Sequence, residues 1–153
     1  MPTTNIMRST KGRILFVEDE RNLVDLYHIY FEKKGFDFLS TADIKEALDL
    51  TEFEQPYIVL LDLIIPKLEN GVINIIAEQG YDYLEAVKKN PKTKNVPIVV
   101  YTNLDTPGDR VKCSEMGAVS YIFKGRALPQ EVLDTVNFVI EQSRKKKNKA
   151  LTK

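Results

Sequence analysis

Apolar residues fall along the chain in two alternating patterns. Short unbroken runs, RILFV (13–17), YIVLL (57–61) and PIVVY (97–101), take turns with stretches in which apolar residues recur at helical spacing. An unbroken run of this length predicts a strand buried on both faces, and the helical spacing predicts amphipathic helices. Two further runs, FDFL (36–39) and VSYIF (119–123), are interrupted by polar residues and predict strands with one wetter face.

The helical stretches carry their own boundaries. Leu23, Leu26, Tyr27, Tyr30 and Phe31 share one face, and Gly35 stands where a helix C-terminal glycine belongs. Asp43 and Glu46 have capping-box spacing ahead of a short helix with Ala47 and Leu48. YDYLEAVKK (81–89) is halted by Asn90-Pro91, and Thr106-Pro107 opens a helix that Gly117 ends. Pro129 lies near the start of a last helix whose apolar face is Val132, Leu133, Val136, Val139 and Ile140. Strands alternating with helices imply an α/β fold with a parallel sheet covered on both faces. The most continuous strands belong in the middle, and the two alternating ones at the edges. The expected architecture is a doubly wound, five-stranded, three-layer sheet of order 2-1-3-4-5, flavodoxin-like, with its switch point between strands 1 and 3.

Composition narrows the setting. The 153 residues suit one domain, and 43% apolar with 29% charged residues is an ordinary globular mix. No apolar run reaches the length of a membrane span, and the N-terminus lacks a secretory apolar core. A single cysteine, Cys113, excludes an internal disulfide and fits a reducing, cytoplasmic location. The formal net charge of zero conceals an asymmetry: residues 144–153, RKKKNKALTK, are basic, which leaves the rest at −6. An acidic body argues against nucleic-acid binding by the domain, whereas the tail could touch phosphates.

Ligands of open parallel sheets bind beyond the carboxyl ends of the strands. After the first strand come Glu18 and Asp19, after the third Asp62, after the fourth Thr102 and after the fifth Lys124. Three carboxylates at one rim repel one another until a proton or a cation relieves them. Mg²⁺ meets that need with one or two carboxylates, waters and a phosphate. Lys124 and Thr102 would complete a phosphoryl site, with Asp62 as a nucleophile that forms an acyl phosphate. Singly, each residue has a plainer reading: Asp19 as the cap of the next helix, Lys124 as a loop lysine, Thr102 as a turn residue. The combination at successive strand ends favours the site.

These segments, ILFVEDE (14–20), IVLLDLIIP (58–66), IVVYTNL (98–104) and GAVSYIFKG (117–125), resemble the response-regulator receiver domain of two-component signalling. The resemblance covers residues 12–142, between an N-terminal tail (1–11) and a basic C-terminal tail (143–153). It implies a stand-alone, CheY-like receiver in which Asp62 accepts a phosphoryl group from a histidine kinase or a histidine phosphotransfer protein. It implies Mg²⁺ held directly by Asp19 and Asp62, mostly through water by Glu18, and by the backbone carbonyl of Ile64. Thr102 would be the switch hydroxyl, Tyr121 the aromatic switch and Lys124 the partner of the phosphoryl oxygens. Such a domain is not a turnover enzyme, although it can autodephosphorylate. Its output would be a downstream protein target on the face of the fourth helix, fifth strand and fifth helix. A weak homodimer is compatible with it, and neither a DNA-binding domain nor a membrane span is expected.

The sequence departs from the family pattern at three places. Gly125 replaces the usual proline after the lysine, which puts the aim of Lys124 in question. Asn103 replaces the usual small residue after Thr102 and would either narrow access to Asp62 or point outward. An insertion at residues 67–79 makes the link into the third helix roughly ten residues longer than is usual in the family. It reads as a hairpin arm or an extra helical turn at the rim, or, the favoured expectation, as a loop covering local core. These departures motivate a competing reading, a phosphorylation-independent receiver-like adaptor. A phosphatase or nucleotide-binding enzyme ranks last, because Ile64 stands where a second acid would be wanted and no glycine-rich phosphate loop follows the first strand.

Overall fold

The structure is a computed structural model that describes residues 10–151. Strand β1 (Arg13–Val17) leads to helix α1 (Arg21–Lys33), β2 (Asp37–Thr41), α2 (Ile44–Glu54) and β3 (Ile58–Leu61). A small hairpin, β4 (Lys67–Glu69) and β5 (Val72–Asn74), precedes α3 (Gln79–Lys89). The chain then forms β6 (Ile98–Thr102), α4 (Pro107–Glu115), β7 (Ser120–Phe123), a 3₁₀ turn (Lys124–Arg126) and α5 (Pro129–Leu151). The main sheet is parallel with order β2-β1-β3-β6-β7. Once the hairpin is set aside, this is the order 2-1-3-4-5 expected from the sequence.

The unbroken apolar strands are explained by two cores that use alternate residues of the same strands. Ile14, Phe16, Ile58, Leu60, Val99 and Tyr101 face α1 and α5. Leu15, Val17, Val59, Leu61, Ile98 and Val100 face α2, α3 and α4. A side-chain period of two therefore gives each central strand two dry faces. Phe16 anchors the first core, with edge-on contacts to Tyr27, Phe38 and Tyr101 at 5.6–5.8 Å between ring centroids. In the second core a buried hydrogen bond of 2.6 Å joins Thr51 of α2 to Tyr83 of α3.

The helix signals act as expected. Asp43 caps α2 by accepting from the Lys45 N–H, but without the reciprocal bond of a capping box, since the Asp43 N–H donates to the Thr41 hydroxyl; Thr106 caps α4 with Pro107 in its first turn. Cys113 of α4 is buried in the second core. Val132, Leu133, Val136, Val139 and Ile140 of α5 are all buried, as the sequence pattern predicts, and the helix continues through the basic segment to Leu151. There Arg144 and Lys147 flank Tyr57 and Pro97, which immediately precede β3 and β6 at the amino ends of the strands.

The insertion departs from the favoured expectation. Asn70 and Gly71 both have positive φ, 50° and 78°, so Asn-Gly makes the two-residue turn that joins twisted antiparallel strands. The result is an arm and not a cover over core: Leu68, Val72, Ile73, Ile75 and Ile76 are all strongly exposed. Its base is tied down by Ile65 N–H donating to the Ala77 carbonyl at 3.0 Å and by Gln79 Nε2 donating to the carbonyls of Ile65 and Pro66.

Among the described residues, no helix is long and apolar enough to cross a membrane.

Candidate functional site

Four parallel strands end on one rim, and each delivers a polar side chain to it. Glu18 and Asp19 follow β1, Asp62 follows β3, Thr102 closes β6, and Lys124 follows β7. Ligand atoms of Glu18, Asp19 and Asp62 lie within 4.8 Å of one another. Lys124 Nζ donates to Glu18 Oε1 and Oε2 at 2.6 and 2.8 Å and to Asp62 Oδ2 at 2.8 Å. The other Asp62 oxygen, Oδ1, accepts from the Thr102 hydroxyl at 2.9 Å and from the Ile64 N–H at 3.1 Å. The costly aspartate inside an apolar run is therefore compensated on both oxygens.

The site is nearly dry on one side and open on the other. Thr102 is fully buried, and Glu18 and Asp62 are 2% and 5% exposed, whereas Asp19 faces solvent. A cavity of about 310 Å³ opens over Asp62, and Ile64, Ile75 and Asn103 contribute to its walls. Asn103 thus borders the mouth, as does Ile75 from the inserted segment.

Burial, followed by the charge of Asp62, pushes the Glu18 carboxyl up to about 8. Burial alone would lower Lys124, but Asp62 and Glu18 outweigh it and hold the ammonium above its ordinary value. One ammonium faces three carboxylates, so the donor set carries a surplus of negative charge and hard oxygen atoms. That chemistry fits Mg²⁺.

The plainer reading of Asp19 fails, because the residue at the cap of α1 is Glu20 and its side chain makes no capping bond. The departure at Gly125 leaves Lys124 on target. The Lys124–Gly125 peptide is trans, and the ammonium still reaches both Glu18 and Asp62. Tyr121 lies off the rim, but its hydroxyl donates to the Leu104 carbonyl at 2.5 Å, and Leu104 N–H reaches the Thr102 hydroxyl at 3.4 Å. Arg110 stacks over the Tyr121 ring at 4.6 Å.

Sequence reasoning missed the role of Gly80. Gly80 lies in the first turn of α3, where a β-carbon would collide with the Asp62 carbonyl oxygen and with Leu63 Cα. The bare backbone lets α3 press against the segment that carries Asp62, and Gly80 N–H donates to the Leu63 carbonyl at 3.0 Å.

A parallel sheet of this order with an acid cluster, a hydroxyl and an ammonium at its carboxyl rim defines a receiver-type signalling domain. Residues 14–137 match the family model of the response regulator receiver domain, and the chain belongs to that family. The chain is 33% identical over 114 residues to a probable transcriptional regulator ycf27 of Porphyridium aerugineum, covering 74% of this chain and 42% of that protein. It is 32% identical over 132 residues to the alkaline phosphatase synthesis transcriptional regulatory protein PhoP of Bacillus subtilis, covering 86% of this chain and 49% of that protein. The chain thus spans about half the length of the curated relatives it matches. Its fold superposes on a CheY-like receiver domain protein from Methanospirillum hungatei with a TM-score of 0.75 at 23% identity, over 88% of this chain and 97% of that one. Accepting a phosphoryl group in two-component signalling is the role of this family.

Proposed function

We propose that the chain is phosphorylated on Asp62 by a phosphohistidine of a kinase or phosphotransfer protein and signals through contacts with a downstream protein. The observation that carries this reading is the hydrogen bonding of Asp62 to Thr102 and Lys124, side chains from three different strand ends. In the transfer, a carboxylate oxygen of Asp62 attacks phosphorus, the bond from phosphorus to the donor nitrogen breaks, and the imidazole leaves with that electron pair. Lys124 shifts from the carboxylate to a phosphoryl oxygen, and the Thr102 hydroxyl donates to another. Asp19, Asp62, Glu18 and the Ile64 carbonyl would hold Mg²⁺, which when bound supplies positive charge to the transferred oxygens.

The adaptor reading loses one motive, because Gly125 does not misdirect Lys124. The lone cysteine suits a cytoplasmic setting. The domain would shed its phosphoryl group by slow hydrolysis and would not turn over a substrate.

Incubation with phosphoramidate and Mg²⁺, followed by intact mass measurement, tests the assignment. The expected product is a single adduct of about 80 Da, one HPO₃, in the wild type and none in Asp62→Asn. No adduct in the wild type, or the same adduct in the variant, defeats it.

A further inference from the structure

The β4–β5 arm exposes both backbone and apolar side chains. Its strands pair with each other in the register Lys67↔Asn74, Leu68↔Ile73 and Glu69↔Val72, and their main contacts are mutual. In a two-residue hairpin the residues flanking the turn form a hydrogen-bonded pair, and pairs then alternate. Glu69↔Val72 is therefore hydrogen-bonded and Leu68↔Ile73 is not. The N–H and C=O of Leu68 consequently point away from β5, to the free edge of β4. All three side chains of β4 are exposed. Leu68 and Ile73, 70% and 64% exposed, form an apolar row on one face, and Lys67 and Glu69 lie on the other, 3.8 Å apart. Such an edge is a template for another strand.

The sequence of β4, Lys-Leu-Glu, states which strand fits. Antiparallel pairing of β4 with a second β4 about a two-fold axis at Leu68 sets Lys67 of each copy opposite Glu69 of the other. It also lets the two Leu68 residues exchange both of their outward backbone hydrogen bonds. Every element of the edge then meets its complement: charge with opposite charge, leucine with leucine, donor with acceptor. A two-stranded ribbon is marginal in water, and doubling it to four strands relieves that weakness.

We propose that the chain self-associates through β4, forming a four-stranded antiparallel sheet β5-β4-β4-β5 between two copies related by a two-fold axis. The axis is isologous, so each Lys–Glu pair occurs twice. The contact is small, and the dimer is weak and concentration-dependent. The proposal stands apart from phosphorylation of Asp62.

Sedimentation equilibrium of the full chain, taken up to millimolar concentration, tests it. Wild type is expected to show a reversible monomer–dimer equilibrium. Glu69→Lys and Lys67→Glu each place like charges opposite one another twice, and each weakens association by about tenfold or more. An equimolar mixture of these two variants restores pairing, as a heterodimer only. The double exchange, Lys67→Glu with Glu69→Lys, is self-complementary again and associates like wild type. All of these positions are on the exposed arm, and circular dichroism confirms that each variant is folded. A wild type that stays monomeric, a single variant that dimerises as wild type does, or a mixture that fails to recover pairing overturns the proposal.

Discussion

The hydroxyl of Thr102 donates to Asp62 Oδ1 at 2.9 Å. The same hydroxyl receives the Leu104 N–H, and the Leu104 carbonyl receives the Tyr121 hydroxyl. Hydrogen bonds on either side of the Leu104 backbone therefore link the Asp62 carboxylate to an aromatic ring beside α4. If Asp62 is phosphorylated as proposed, movement of Thr102 toward the phosphoryl group would pull on these bonds and offer a partner a second arrangement to read. Thr102→Ala keeps the acceptor but cuts the link. The variant is expected to take up the phosphoryl group from phosphoramidate without the shift in the Tyr121 side-chain resonances that phosphorylation of the wild type is expected to produce. An undiminished shift in Thr102→Ala would remove the coupling.

Among the described residues, Lys124 is the one ammonium bonded to Glu18 and Asp62. Lys124→Met leaves two buried acids without their partner, at a cost of about 3 kcal/mol in the metal-free protein, the lower end for a broken buried pair because Glu18, pushed up to about 8, is already protonated at neutral pH. Mg²⁺ should recover more stability in this variant than in the wild type, since it then relieves more repulsion. Chemical denaturation with and without Mg²⁺ measures both effects. Equal gains from Mg²⁺ in the two proteins would show that metal and ammonium do not share the same carboxylates.

Glu18 gives a pH dependence of definite sign. Its carboxyl titrates at about 8 in the folded chain against an ordinary 4.5, so between these values the folded chain keeps a proton that the unfolded chain releases. Stability of the metal-free protein therefore falls as pH rises through that window. Lys124 is raised above its ordinary 10.5, so its contribution changes only at higher pH. Mg²⁺ at this acidic pocket would favour the ionised carboxylate, and its affinity is expected to climb as pH rises from 6 toward 8. Glu18→Gln should flatten the metal-free profile, and denaturant midpoints at several pH values make the comparison.

Gly80→Ala places a β-carbon against the Asp62 carbonyl and Leu63 Cα, both parts of a backbone held by the sheet. Helix α3 must withdraw or the Asp62 turn must shift. A loss of about 1–3 kcal/mol is expected, together with slower labelling by phosphoramidate. A variant as stable and as reactive as wild type would contradict the close approach.

Much of this arrangement is legible in the chain because strand burial and strand ends are both local signals. Runs such as YIVLL mark the sheet centre, and the polar residue that ends each run is placed at the rim by the topology alone. Asp62, Thr102 and Lys124 were reachable in this way. The Gly80 contact was not, since close approach of two backbones depends on how α3 seats, which no local pattern encodes. The arm was misjudged for a related reason. VINII reads as apolar and so as core, but the Asn70-Gly71 turn folds the segment back on itself before it can reach the interior. The chain through Leu104 to Tyr121 was likewise out of reach, because a backbone carbonyl leaves no trace in residue type.

Helix α5 begins at the acidic rim and carries Arg144 and Lys147 past the amino ends of β3 and β6. A chain with formal net charge zero thereby keeps basic side chains at the end of the sheet opposite the carboxylates around Asp62. Near an anionic surface or macromolecule, such a molecule would turn its basic pole inward and present the mouth over Asp62 to the surrounding solution.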